Sequence, residues 1–268
     1  MPSSTDADET GPAENGRFPA GPRPRIIAHR GLALGAPENT MRAFEAALAA
    51  GADMLETDCH ATRDGVALTI HDPDLRRVGE GDVRRVEHLT SDEAATVRLA
   101  GTDGVPRLED VLGSFDVPVN IDVKAPSAVR PVAEAIARTA SASRVCVTSF
   151  DGRTARRAAV AVRDLTGTLP ARSPSVGAMT AFLGAVSTGA PQRVVDRILA
   201  PYGALQVPPR HRGYPVVSRR SVALAHRAGC EVHVWTIDDE TEMRALLALG
   251  ADGIVTNRSD LLARLLGR

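Results

Sequence analysis

Aromatic side chains are scarce in this chain: they make up 3% of 268 residues, and Trp235 is the single tryptophan. Cysteine is scarcer still. Cys59, Cys146 and Cys230 lie far apart and are odd in number, which argues against a disulfide framework and for packed thiols in a reducing compartment. No stretch reaches the roughly 18 consecutive apolar residues of a membrane helix, and nothing near the start resembles a signal-peptide core. The expectation is a cytoplasmic protein without an integral membrane segment. An excess of one charge is also missing. A formal net charge of -1 offers no global attraction to nucleic acid or to an anionic membrane, so an anionic ligand must be drawn in locally.

What remains is ordinary globular usage, 43% hydrophobic and 24% charged, on a length that suits one large domain. The opening segment, Met1 to Arg23, is rich in Pro, Gly, Ser, Asp and Glu and reads as a disordered tail, leaving residues 24–268 as the domain. Beyond it, short β-branched or apolar runs alternate with Ala- and Leu-rich helical patterns, the signature of an α/β fold with a parallel sheet. Strands are expected at 25–29, 53–58, 66–71, 117–123, 144–149, 165–169, 204–207, 231–236 and 252–256. These nine candidates exceed the eight positions of a (β/α)8 TIM barrel, so one is expected to be peripheral. Helices are expected at 40–50, 126–140, 152–163, 218–228, 240–249 and 259–266, with further helical patterns at 176–187 and 192–199. The polar stretch 74–105 reads as a loop with short structure over the strand ends.

In a parallel barrel the carboxyl ends of the strands converge on one face, and here those ends are polar. They carry His29-Arg30-Gly31, Glu56-x-Asp58, His71-Asp72 and Asp122-x-Lys124. Glu56 and Asp58, one residue apart, share a strand face where their charges repel, so a cation belongs between them. Asp122 completes an oxygen set suited to Mg2+ or Ca2+. Salt bridges from Arg30 and Lys124 account for the acids equally well at this point. His29 and His71, on different strand ends, can flank a phosphodiester as one base and one acid. Arg30 presents a planar fork to phosphate oxygens, and Lys124 a compact second charge. The amphipathic Trp235 ring suits a pocket wall better than a core anchor.

These motifs, with Pro37-Glu38-Asn39-Thr40, Ser149-Phe150-Asp151, Val234-Trp235-Thr236 and the segment Gly250–Thr256, in this order, resemble the glycerophosphodiester phosphodiesterase family from Arg25 to Leu262. The resemblance implies a (β/α)8 barrel that cleaves small-molecule glycerophosphodiesters to glycerol phosphate and an alcohol. It implies a divalent ion, Mg2+ or Ca2+ with Mn2+ as a further candidate, and two histidines. His29 and His71 match the acid–base pair, Glu56 and Asp58 metal ligands, Arg30 and Lys124 phosphate-binding positions, and Trp235 a pocket aromatic. Glu38 matches a site glutamate that is either a ligand or supports one. Asp122 stands where glutamate is usual. Asn257 and Ser259 replace the usual Asp and Pro, a change with no evident catalytic consequence, and Asp238 replaces a frequent Asn. His211, Arg212 and Tyr214 follow the seventh candidate strand and are head-group candidates, whereas His226 and His233 read as structural. A lysophospholipase D-like activity, a catalytically silent phosphate-binding barrel and an unrelated metal-assisted barrel hydrolase are the alternatives. The sequence leaves the oligomeric state open.

Overall fold

The computed structural model describes residues 17–99, 102–211 and 213–268. The elements are β1 (Arg25–His29), α1 (Met41–Ala49), β2 (Met54–Ala61), β3 (Ala67–Thr69), α2 (Ser91–Ala95), β4 (Arg98–Leu99), β5 (Thr102–Asp103), α3 (Leu108–Ser114), β6 (Val119–Val123), α4 (Val129–Arg138), β7 (Val145–Thr148) and α5 (Gly152–Thr166). They continue with β8 (Ala171–Arg172), α6 (Val176–Thr188), α7 (Gln192–Leu199), β9 (Ala204–Val207), β10 (Arg210–His211), β11 (Tyr214–Pro215), α8 (Arg219–Arg227), β12 (Glu231–Val234), α9 (Glu240–Ala248), β13 (Gly253–Thr256) and α10 (Ser259–Leu265).

Eight strands run parallel in the order β8-β7-β6-β2-β1-β13-β12-β9. The two ends approach one another through Gly203 N–H donating to Arg172 O at 3.0 Å and Gln206 N–H to Ser173 Oγ at 3.2 Å, so the sheet is a nearly closed barrel. The helices wrap it. Local chemistry sets their ends: Thr40 Oγ1 accepts from Ala43 N at the start of α1, and the Asp151 carboxylate caps α5.

Two sequence expectations need correction. The stretch 66–71 does not join the barrel, because β2 extends past the rim and β3 folds back antiparallel on it, pairing Cys59 with Thr69. The expected strand at 165–169 is displaced: α5 runs on to Thr166, Gly167 closes it in the left-handed conformation, and the barrel strand is β8. Leu165 is 54% exposed on that helix, so its apolar character reflects no burial. The stretch 74–105 contains α2 and short strands around its own apolar cluster of Leu75, Val86, Leu89, Val97 and Leu99.

Strand periodicity organises the barrel interior into layers. Along β1 the residues Arg25, Ile27 and His29 alternate with Ile26 and Ala28, which pack outward against helices. The middle layer is apolar, formed by Ile27, Met54, Cys146, Ala171 and Val255. The floor is charged. Arg25 Nε lies 2.7 Å from Glu231 Oε2, whose other neighbour is His233 Nε2 at 3.0 Å. Gly253 makes this possible, since a Cβ there would stand 3.0 Å from His233 and 3.2 Å from Arg25. Phe18 closes the floor, edge-on to His233 at 4.6 Å, and Arg23 pairs with Glu231 at 2.5 Å. Phe18, Pro19 and Arg23 of the expected tail thus contact the barrel floor, and residues 1–16 lie outside the described residues.

Arg25 and Glu231 are buried, and removing one partner strands a buried charge. Glu231→Ala is expected to lower unfolding free energy by about 3–5 kcal/mol in denaturant titration, and a loss below about 1 kcal/mol would contradict the role of the pair. Burial alone would raise the Glu231 carboxyl, but bonds from Arg25 and His233 hold it well below its ordinary value. The stabilisation is thus complete above the ordinary carboxylate range and is lost as pH falls through and below it.

Candidate active site

The same period of two that builds the floor delivers the mouth. On β2 it turns Met54, Glu56 and Asp58 inward, and on β6 it turns Asn120 and Asp122 inward, with Lys124 following. Asp58 is paired in register with Asp122, and Glu56 with Asn120 and His29. Asp58 and Asp122 therefore face each other from adjacent strands, with Glu56 one inward position below them, and the three are 6%, 1% and 8% exposed for Glu56, Asp58 and Asp122.

Two basic side chains enter this cluster. Lys124 Nζ bridges Asp58 Oδ1 at 2.7 Å and Asp122 Oδ2 at 2.6 Å. Arg30 Nε stands 2.8 Å from Asp58 Oδ2 and its Nη1 2.9 Å from Glu38 Oε1. Burial works against the Asp58 charge, yet Lys124 and Arg30 hold its carboxyl below the ordinary value. Burial likewise opposes the Lys124 charge, and Asp122 and Asp58 hold the ammonium above its ordinary value. Glu56 is different. It accepts the Arg30 backbone N–H at 3.2 Å, and its nearest ion-pair partner among the described residues is His29 Nε2 at 4.0 Å. Burial, reinforced by Asp58 and Asp122, pushes its carboxyl well above the usual range.

The turn after β1 aims Arg30 by an unusual backbone. Arg30 itself has φ 58°, and Gly31, at φ 82°, passes so close to α1 that a Cβ would meet the Ala43 carbonyl carbon at 2.5 Å. Arg30 N–H donating to Glu56 O at 3.0 Å ties this turn to β2. Asn39, also at φ 58°, donates from Nδ2 to Asp58 Oδ2 at 3.2 Å and accepts from Thr57 Oγ1 at 2.7 Å.

The histidines arrive by different routes. His29 ends β1, half-buried, with Nδ1 2.8 Å from Asn257 Oδ1. Burial holds it below the ordinary histidine value, although the Asn257 contact works the other way. His71 descends on the β3 hairpin, where Ile70 N–H donates to Asp58 O at 2.9 Å, and its Nδ1 lies 2.7 Å from Asp72 Oδ1. Arg77, from the stretch above the barrel, holds Asp72 Oδ2 at 2.5 Å and Glu38 Oε1 at 2.7 Å. No sequence signal marked Arg77, and Asn257 and Asp238 stood out only as departures from the family pattern. Asn39 was visible only as a motif member.

One cavity of about 480 Å3 is lined by His29, Arg30, Glu56, Asp58, His71, Asp122, Lys124 and Trp235 together. Glu38 lies behind it, joining Arg30 to Arg77. The Trp235 ring meets Phe150 edge-on at 6.0 Å, and Lys124 Nζ sits 5.8 Å from the Phe150 ring centre. Apolar side chains complete the lining, among them Pro174, Val176, Met179, Leu183 and Val216. His211 lines the cavity, Tyr214 is 78% exposed on the β10–β11 hairpin, and Arg212 lies outside the described residues. His226 pairs with Asp252 at 2.6 Å and His233 belongs to the floor, both structural positions. Cys59 faces the outer core, its thiol raised well above the ordinary value by burial.

Among the described residues no group of three His, Cys, Asp or Glu side chains is drawn together closely enough to grip an ion. The donor chemistry nevertheless suits a hard divalent cation: three carboxylates converge, and Glu56 is buried without a cationic side chain of its own.

Residues 29–261 match the glycerophosphoryl diester phosphodiesterase family. A relative named probable glycerophosphodiester phosphodiesterase 2, from Mycobacterium tuberculosis, is 39% identical over 238 residues, 88% of each chain. A lysophospholipase D of Rattus norvegicus is 38% identical over 113 residues, 37% of this chain and 36% of that one. Among solved structures, an Oleispira antarctica phosphodiesterase in complex with the product sn-glycerol-3-phosphate superposes with a TM-score of 0.70 at 20% identity, covering 92% of this chain and 98% of its own. Among the described residues no helix is long and apolar enough to cross a membrane.

Arg77 gives Asp72 and Glu38 a shared cation, so its loss should loosen both His71 and Arg30. Arg77→Met is expected to reduce phosphodiester hydrolysis on the order of 10-fold while the fold survives. Steady-state rates check this, and wild-type rates in the folded variant would remove Arg77 from the site.

Proposed function

This chain belongs to the glycerophosphoryl diester phosphodiesterase family, which hydrolyses glycerophosphodiesters, and we propose that it does so with His29 and His71 as its acid–base pair. The observation that carries this proposal is the joint placement of both imidazoles, two basic side chains and three carboxylates on one cavity. Arg30 and Lys124 lie at its mouth, where they bind the phosphate oxygens and offset the charge that grows on them at the transition state. Burial favours neutral His29, so its Nε2 takes the proton of the attacking oxygen as the new P–O bond forms. His71, held through Nδ1 by Asp72, delivers a proton from Nε2 to the departing alcohol oxygen as the old P–O bond breaks. The products are glycerol 3-phosphate and an alcohol. Trp235 forms the wall against the organic part of the substrate.

Glu56, Asp58 and Asp122 are the residues that would hold a divalent ion, Mg2+, Ca2+ or Mn2+, with Glu38 supporting Arg30. When bound, such an ion polarises a phosphoryl oxygen and supplies the positive charge that the Glu56 environment lacks. Asp122, already engaged by Lys124, is one methylene shorter than a glutamate, so it reaches less far into the cavity.

A second substrate class, the lysophospholipids, is favoured by the apolar lining. Residues 173–192 carry no charged side chain, and α6 within them contributes Val176, Met179 and Leu183 to the cavity. A hydrocarbon chain would lie there without desolvating any charge.

His29→Ala and His71→Ala are each expected to lower kcat by on the order of 10²–10⁴-fold with circular dichroism unchanged, and full turnover by either would sink the two-histidine assignment. Chelation should abolish hydrolysis of glycerophosphocholine and added Mg2+, Ca2+ or Mn2+ restore it; rates that ignore chelator would remove the ion from the mechanism. Assays on glycerophosphocholine beside lysophosphatidylcholine, with products identified, separate the two substrate classes.

A further inference from the structure

We propose that Asp238 and Asn257 form a positioning pair that sets which ring nitrogen of His29 carries the proton and which faces the substrate, an inference that rests on His29 being an acid–base group. Asn257 follows β13 directly and Asp238 lies in the loop between β12 and α9, so the pair stands on the rim beside β1 without lining the cavity. Asp238 Oδ1 accepts from Thr256 Oγ1 at 2.9 Å and from the Asn257 backbone N–H at 2.8 Å. Its Oδ2 accepts from Asn257 Nδ2 at 2.8 Å. A reversed Asn257 amide would set oxygen against oxygen there, so the carboxylate dictates that the amide oxygen turns to His29. At 2.8 Å from His29 Nδ1 that oxygen can only accept. The proton therefore resides on Nδ1, and Nε2 is left with a free lone pair on the side of Glu56, 4.0 Å away.

The logic of the pair predicts a specific pattern of failure and repair. In Asp238→Asn the new amide no longer forces the orientation of Asn257, which can turn its NH2 toward His29 and impose the opposite tautomer. In Asn257→Asp two carboxylates face each other and repel, which pushes the acceptor away from His29 Nδ1 and releases the constraint on the tautomer. With both changes made, the Asn at 238 donates to the Asp at 257, and that carboxylate accepts from Nδ1–H, so the original tautomer returns with the partners exchanged. A loss of packing would show no such reciprocity.

The test uses the full chain, with His29→Ala, Asn257→Asp, Asp238→Asn and the double variant D238N/N257D. Folding is followed by circular dichroism and melting, and kcat and KM are measured separately on glycerophosphocholine. Each single variant is expected to lose roughly 10–100-fold in kcat with little change in KM, and the double variant to regain most of that loss. Nitrogen-15 NMR of the wild-type histidines should give His29 as the Nδ1–H tautomer, a readout independent of turnover. The proposal is overturned by an Nε2–H tautomer in the wild type, by wild-type kcat in the single variants, or by a folded double variant no better than the worse single one. If His29→Ala is inactive and the pair variants are not, only the positioning role fails; a fully active His29→Ala removes the acid–base reading beneath it. Should a single variant not fold, the wild-type tautomer still decides.

Discussion

Like charges forced together at the end of a parallel sheet are the constraint around which this molecule is arranged. The register of β2 and β6 sets Asp58 against Asp122, Glu56 follows one inward position below, and all three are buried. Such a cluster persists only if cations compensate it. Lys124 and Arg30 do so for Asp58 and Asp122, and the left-handed turn at Arg30 and Gly31 exists to aim one of them. Glu56 keeps the deficit. That imbalance leaves room for a further positive charge, and the register of β1 with β2 sets His29 beside it.

The barrel solves the same problem twice. At the floor, Arg25, Glu231 and His233 form a closed set, sealed by Phe18 and separated from the mouth by the apolar layer of Ile27, Met54, Cys146, Ala171 and Val255. The set below is closed off, with Arg25 and His233 both turned to Glu231. The set above is open to a cavity of about 480 Å3 lined by both charged and apolar side chains. What separates structural from functional charge here is access, since the residue types are alike.

Much of this was legible in the sequence for a definite reason. Period-two alternation places 56 with 58 and 122 with 124 on one face wherever the strands lie, so Glu56-x-Asp58 and Asp122-x-Lys124 announced themselves locally. His71 was recognised from its motif, but its route was not, because a hairpin strand folding back on β2 and a barrel strand share the same short apolar pattern. The strand expected at 165–169 failed for a related reason: an exposed Leu165 on a helix end imitates burial. Long-range contacts carry no local signal. Asn257 and Asp238, noted only as departures from the family's usual Asp and Asn, face each other across a turn and reach His29. Arg77 comes from a stretch whose path over the barrel no local pattern encodes.

The central claim is the proposal that the carboxylate cluster, short of one cation, would take it from solution through Glu56. Electron paramagnetic resonance titration of the purified chain with Mn2+ tests it directly by counting ions without reference to turnover. One tightly held ion per chain in the wild type, lost in a folded Glu56→Gln variant, is the expected result. No bound ion in the wild type, or an undiminished one in Glu56→Gln, would contradict the account.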